Sequence, residues 1–349
     1  LGRLLCDSLD SHTDAEAAYR KAIELDPKYA RPWNSMGNLL ADSLGRHAEA
    51  EDAYRKAIEI DPNYAPPWNN LGIVLALPMR RHAEAEAAYR MAIELDPKDA
   101  RPWNGLGILL AGPMGRHAEA EDAYRMAIEI DPKNARPWNG LGILLAGPLG
   151  RYAEAEAAYR SAIEIDPKLA WPWGKLGDLL SRLLGRYDEA EAAYRSAIEI
   201  DPKLAWPWGN LGDLLSGPLG RYFEAEAAYR KAIEIAPNDT GAWIGLGNLL
   251  ADHLFRFDEA EKAYRTAQSL EPQEPASLYN LANLLLRRNG SRAEAETAYL
   301  KAIAIVPKHG AGLLRAFHAL SEENFGTATA EFGSVLEEGH ADLFIVFRI

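Results

Sequence analysis

The chain has 349 residues, 48% hydrophobic and 26% charged, which is the composition of a folded protein and not of a disordered one. With 38 Lys and Arg against 51 Asp and Glu, the net charge of −13 supplies no basic footprint, so no nucleic-acid partner is expected. A single cysteine, Cys6, excludes an internal disulfide framework or thiolate cluster, and no apolar run is long enough for a membrane span.

The chain opens on Leu1, in the middle of a helix-like pattern and without a basic-then-apolar leader. The natural N-terminus is therefore expected to lie upstream, and targeting is not readable. The cysteine usage suits a cytoplasmic or organelle interior. Residues 1–29 form the remainder of a first repeat, because a period starts at once. Tyr19, Tyr54, Tyr89, Tyr124, Tyr159, Tyr194, Tyr229, Tyr264 and Tyr299 recur every 35 residues. Trp33, Trp68, Trp103, Trp138, Trp173, Trp208 and Trp243 keep the same step, and Leu278 then takes the tryptophan's place. The period makes residues 30–309 eight tandem units of one array, in place of the two or three domains that length alone suggests.

Each unit predicts two helices. In residues 100–134, Pro102 occupies a first-turn position where its missing N–H costs nothing. Trp103, Leu106, Gly107 and Leu110 then fall at i, i+3, i+4 and i+7, one face of a first helix that Gly112-Pro113 stops. A second helix is predicted from about His117 to Ile130, with Ala120, Ala123 and Ala127 as a small-residue seam beside Tyr124 and Ile128. Asp131-Pro132 ends it, since the residue before proline is pushed out of the helical region. Small residues let helix axes approach and the aromatics fill between them, so Trp173 and Trp208 are expected in the core. No hairpin of this kind buries its apolar faces alone; stacking does.

Towards the end the pattern erodes. Ala282 replaces the helix glycine, Asn289-Gly290-Ser291 forms the turn, and Val306 replaces the closing acid. A diverged terminal repeat is expected over 310–338. The apolar tail 339–349 fits no repeat and is read as a cap over the last apolar face, with a sticky partner segment as the alternative.

These residues resemble the tetratricopeptide repeat: tryptophan at the first-helix start, Leu-Gly three and four later, then Ala, Tyr, Ala and Pro down the second helix. The resemblance covers about residues 1–338, with one regular departure, a 35-residue unit where the family's usual length is about 34. It implies an all-α, right-handed superhelix whose first helices line a concave groove.

The copies themselves weigh the chemical candidates. The His-x-Glu at His117 looks like half a zinc site, but its position reads His12, His47, His82, His117, Tyr152, Tyr187, Tyr222, Phe257 and Arg292. A metal ligand does not survive exchange for phenylalanine, whereas a packing ring does. The turn before it resembles a phosphate loop, yet its glycines vary, no Gly-Lys-Ser/Thr follows, and an acid opens the helix. The column Arg46, Arg81, Arg116, Arg151, Arg186, Arg221 and Arg256 is expected to pair with neighbouring acids. No catalytic set, metal cluster or dinucleotide fingerprint is visible, so no enzyme activity and no cofactor are expected.

If the family geometry holds, the positions one after, two before and five after the tryptophan face the groove. The first reads Asn34, Asn69, Asn104 and Asn139, then Gly174, Gly209, Ile244 and Tyr279. The second reads Arg31, Pro66, Arg101 and Arg136, then Trp171, Trp206, Gly241 and Ala276. The third reads Asn38, Ile73, Ile108 and Ile143, then Asp178, Asp213, Asn248 and Asn283. One block therefore offers Arg, Asn and Ile; a second offers Trp, Gly and Asp, with Lys175. Asparagine amides both donate to and accept from a peptide backbone. The ladder is similar to the asparagine-lined groove of O-linked N-acetylglucosamine transferase repeats, where it sits one position later, as Asn70, Asn210 and Asn280 do here. Two readings of Trp171 and Trp206 stand level, partner anchors or fillers against the preceding loop.

The sequence thus predicts a protein-interaction scaffold that captures an extended peptide or helix of a protein partner. The alternatives are a structural subunit that self-associates within a larger assembly, and the interaction part of a longer enzyme.

Overall fold

A computed structural model describes residues 12–288 and 292–305; the predicted tail, the diverged terminal repeat, the start of the first repeat and the Asn289-Gly290-Ser291 turn lie outside the described residues. Among the described residues the chain is helical, with no strand. In chain order the helices are α1 (His12–Leu25), α2 (Ala30–Asn38, continued by a π turn over Leu39–Ser43), α3 (His47–Ile60), α4 (Ala65–Ala76), α5 (His82–Leu95) and α6 (Ala100–Ala111). There follow α7 (His117–Ile130), α8 (Ala135–Ala146), α9 (Tyr152–Ile165), α10 (Ala170–Arg182), α11 (Tyr187–Ile200) and α12 (Ala205–Ser216). The last are α13 (Tyr222–Ile235), α14 (Thr240–Asp252), α15 (Phe257–Leu270), α16 (Pro275–Arg287) and α17 (Arg292–Ile305).

The chain divides into two compact units, Leu1–Leu179 and Leu180–Ile349. Within each, a first helix packs on the second helix of its own repeat and on the second helix of the one before. This is an all-α stack of helical hairpins, as the period requires.

The core repeats with the sequence. Leu106, Leu109 and Leu110 of α6 bury against Ala120, Ala123, Tyr124 and Ala127 of α7, and Leu71, Val74 and Leu75 meet Ala85, Ala88, Tyr89 and Ala92 in the repeat before. The leucines sit on one side of the first helix and the alanines let the second helix close on it. The tyrosine is the large buried piece of each hairpin.

The extra residue of the 35-residue unit is taken up between the helices. Arg116 N donates to Leu110 O at 2.8 Å and Met114 N to Leu109 O at 3.3 Å, wider bonds than an α-helix makes. The chain then reverses through a residue with positive φ: Gly45, Gly115, Gly150, Gly185 and Gly220 lie at φ 62–65°. Glycine is suited to this left-handed backbone, but Arg80 and Phe255 hold the same position at φ 54°. At the other end of the unit Asp131 N still bonds Ala127 O at 3.0 Å, and Asn134 N closes onto Asp131 O at 3.2 Å before the next first helix.

The tryptophans differ from expectation. They are half-buried rather than in the core. Each lies in the first turn of its helix, at the edge of the hairpin. There Trp68 Nε1 donates to Pro62 O at 3.1 Å, Trp173 to Pro167 O at 3.2 Å and Trp243 to Pro237 O at 2.9 Å. The turn carbonyl six residues back supplies the indole's acceptor at these three, whereas Nε1 of Trp33, Trp103, Trp138 and Trp208 is buried with no hydrogen-bond partner among the described residues.

Candidate functional site

Most of the histidine-position rings are partly covered at the start of the second helix, whereas Tyr152 and Tyr187 are exposed there. His47, His82, His117, Tyr222 and Phe257 are the first residues of their helices and half-buried there. Among the described residues, no three His, Cys, Asp or Glu side chains are grouped to hold a metal ion, and no helix is long and apolar enough to cross a membrane.

The arginine column is occupied by the repeat junctions. Arg116 reaches back to Glu86 at 2.7 Å and forward to Glu119 at 2.6 Å, while Arg90 meets Glu86 at 2.7 Å and Glu119 at 3.6 Å. Two arginines and two glutamates so close a ring between consecutive second helices. The same ring recurs with Arg125, Arg151, Glu121 and Glu154, and with Arg195, Arg221, Glu191 and Glu224. The Arg116 hydrogen bond holds the Glu119 carboxyl below its ordinary value. Burial would raise Glu86, but hydrogen bonds from Arg90 and Arg116 outweigh it and hold that carboxyl low too. Where the column would reach Ser291, Arg288 replaces it, pairing with Asp258 at 2.6 Å and Glu261 at 2.8 Å.

The candidate site is the remaining face of the first helices. Its floor is built around the repeat tyrosine in two ways. In one, the residue five after the tryptophan position is polar and bonds the phenol: Tyr54 donates to Asn38 at 2.9 Å, Tyr229 to Asp213 at 2.8 Å and Tyr264 to Asn248 at 2.8 Å, with a matching Tyr299–Asn283 bond. The asparagine of the next repeat can join, as Asn70 Nδ2 does to Asn38 at 2.9 Å and Asn280 Nδ2 to Asn248 at 2.8 Å. In the other, the residue is Ile73 or Ile108, and the next repeat brings a glycine onto the ring, as Gly245 also does at Tyr229 beside its Asp213 bond. A β-carbon at Gly105 would lie 2.6 Å from Tyr89, and one at Gly140 2.6 Å from Tyr124.

The predicted ladder splits accordingly. Asn34 and Asn69 are buried, at 7% and 3% exposure, and belong to the junction: Asn69 Nδ2 donates to Asn70 Oδ1 at 3.1 Å and Asn70 Nδ2 to Asn34 Oδ1 at 3.1 Å. Asn104 and Asn139 are half-buried, with Oδ1 turned away from water. The ladder positions are thus not uniformly presented. Their burial depends on what the neighbouring repeat places at 38 and 70, which no single repeat encodes.

The flanking rows are open. Ile73, Ile108 and Ile143 are 48%, 45% and 43% exposed, and Arg31, Arg101 and Arg136 are exposed. Arg101 folds onto Asp99, which caps α6 and pairs with it at 2.7 Å; Asn134 caps α8 through the Arg136 N–H at 3.1 Å. Trp171 is 46% exposed, Trp206 is half-buried, and Lys175 pairs with Asp178 at 3.0 Å.

In the second unit the same face is a cleft of about 1190 Å³, with Asp213, Asn248 and Asn283 on its floor beside Tyr229 and Tyr264. Arg182 crosses it to Asn210 Oδ1 at 3.2 Å and lies 3.9 Å from Asp213. The second unit thus has a polar floor where the first has an isoleucine row, while Trp171, Lys175 and Asp178 of the sequence's second block lie in the first unit.

Hairpins of this period, with a glycine-bracketed tyrosine and a seam of alanines, define a helical-repeat scaffold. Tetratricopeptide repeat models match residues 2–65, 74–135 and 254–309, and others of the same description match 53–87, 133–203 and 207–239. The chain belongs to the tetratricopeptide repeat family, and it is a protein-interaction scaffold.

No curated protein matches the sequence. Among solved structures it is similar to the APC/C hetero-tetramer Cut9–Hcn1, at 20% identity and a TM-score of 0.61, over 78% of this chain and 52% of that one. The chain thus spans about half of that relative's length, and the likeness is one of fold. A second similar structure is YrrB, described as a TPR protein with an unusual peptide-binding site, at 26% identity and a TM-score of 0.43, over 55% of this chain and 96% of that one.

Proposed function

We propose that the chain binds an extended peptide segment of a partner protein along the open face of its first helices, and that it does so without catalysing a reaction. The observation that carries this reading is the row Ile73, Ile108 and Ile143, three large aliphatic side chains 43–48% exposed at one repeated position. A regular apolar row left in water marks an interaction surface more often than a packing fault. Arg31, Arg101, Arg136 and Trp171 border it, Asn104 and Asn139 lie between the rows, and in the second unit Asp213 and the cleft amides offer a hydrogen-bonding floor. Asn34 and Asn69 support the face from beneath. The test is a peptide-display selection on the whole chain, repeated with the variant I73D/I108D/I143D: ligands of the wild type should be lost from the variant, and selection of the same ligands by both would contradict the reading.

A second reading, self-association, has its own observation. Phe223 and Phe255 are 80% and 65% exposed at positions that other repeats fill with Ala, Asp or Thr and with Gly, Arg or Asp. Light scattering of the chain and of F223D/F255G separates it: one monodisperse monomer in both removes this reading.

A further inference from the structure

The charge on the first-helix face of the first unit is distributed unlike the rest of the molecule. The chain carries 51 Asp and Glu, yet α2, α4, α6 and α8 contain none, so their acidic complement sits on second helices and in turns. Their only charges are Arg31, Arg101 and Arg136, all exposed. The arginines of the second helices are consumed in rings, whereas Arg31 and Arg136 make no ion pair among the described residues, and Arg101 is held by Asp99. A protein of net charge −13 thus gives these four helices three exposed guanidinium groups and no acid within their α-helical spans, the nearest carboxylates being Asp99 at the cap of α6 and Asp42 in the π turn that follows α2.

The apolar row stands beside them. Arg101 and Ile108, and likewise Arg136 and Ile143, are seven residues apart on one helix, hence on the same face and about 10 Å apart along it. A peptide crossing the helices between the rows in an extended form sends alternate side chains to opposite sides. One set would meet guanidinium groups, the other isoleucines. We infer that the segment this face takes is acidic and aliphatic in alternation, with Asp or Glu toward Arg31, Arg101 and Arg136 and aliphatic side chains toward Ile73, Ile108 and Ile143. This rests on the peptide-binding reading above and names the partner's chemistry. The net negative charge of the chain disfavours such a peptide elsewhere on average, so the face selects as well as attracts.

The test uses the whole chain and short synthetic peptides in which Leu, Ile or Val alternates with Asp, Asn or Lys, read by fluorescence anisotropy. The Asp peptides should bind about tenfold tighter than the Asn peptides at low salt, and R31A/R101A/R136A or high salt should remove that preference. Equal binding of Asp and Asn peptides, lost in I108D/I143D, would overturn the acidic assignment and leave the peptide face standing. Lys peptides binding tightest, in a way the triple Arg variant does not alter, would also overturn it. Binding in no arm would overturn both readings.

Discussion

The ring of Tyr89 occupies the space that a side chain on Gly72 would need: a β-carbon there would lie 2.7 Å from the ring carbons. On its other side the same ring meets Gly105 of the next repeat, so one tyrosine locks three helices through two missing methyl groups. Gly107 and Gly140 hold Tyr124 in the same way.

Alanine at Gly107 is therefore expected to destabilise. Overpacking against Tyr124 costs about 1–3 kcal/mol, set against about 1 kcal/mol of gained helix propensity. Gly209, with nothing within 4 Å of its would-be β-carbon, is the control, and Gly209→Ala should stabilise by up to about 1 kcal/mol. Denaturant unfolding of the two variants checks the opposite signs.

The left-handed turn offers a stabilising change. Arg80 and Phe255 sit at φ 54° where five other repeats have glycine, and an L side chain there costs about 1–2 kcal/mol. Part of that is returned, because glycine adds freedom to the unfolded chain. Arg80→Gly should raise the melting temperature slightly, while Gly115→Arg should lower it. A fall on Arg80→Gly would mean that the arginine side chain makes a contribution larger than the strain.

Acid should loosen the repeat junctions. Glu119 and Glu154 are held below their ordinary values by the hydrogen bonds of Arg116 and Arg151. A carboxyl depressed in the folded state contributes stability above its unfolded value of about 4.3, and that contribution is lost as pH falls through the folded value. The melting temperature should accordingly drop below that pH. The drop should be shallower in R116A/R151A, whose carboxylates have lost their partners. An unchanged profile would show that the rings are screened by solvent.

Most of the fold was legible in the sequence because it repeats. The second helix predicted from about His117 to Ile130 has those bounds, and Gly112 ends α6 as expected. Arg116 was legible as an ion-pair former through Glu119, three residues on. Its second partner, Glu86, lies 30 residues back and becomes a neighbour only when hairpins stack. The tryptophans are half-buried where hydrophobic spacing counts them as core, because each lies in a first turn at the hairpin edge, where Trp68, Trp173 and Trp243 also reach the preceding turn carbonyl. Burial of Asn34 and Asn69 escaped for a related reason. It depends on Asn38 and Asn70, a combination found at that junction and replaced by Ile73 and Gly105 at the next. The open rows, in contrast, were visible as residues that the packing pattern leaves unused.

The most direct measurement is the affinity of the whole chain for a peptide ligand selected on it, compared between wild type and I73D/I108D/I143D with folding verified by circular dichroism. The helical signal and melting temperature should stay close to wild type while binding falls at least about tenfold, since each aspartate replaces an exposed aliphatic contact with a charge. A variant that keeps both its fold and its affinity would place the binding surface elsewhere and contradict the account.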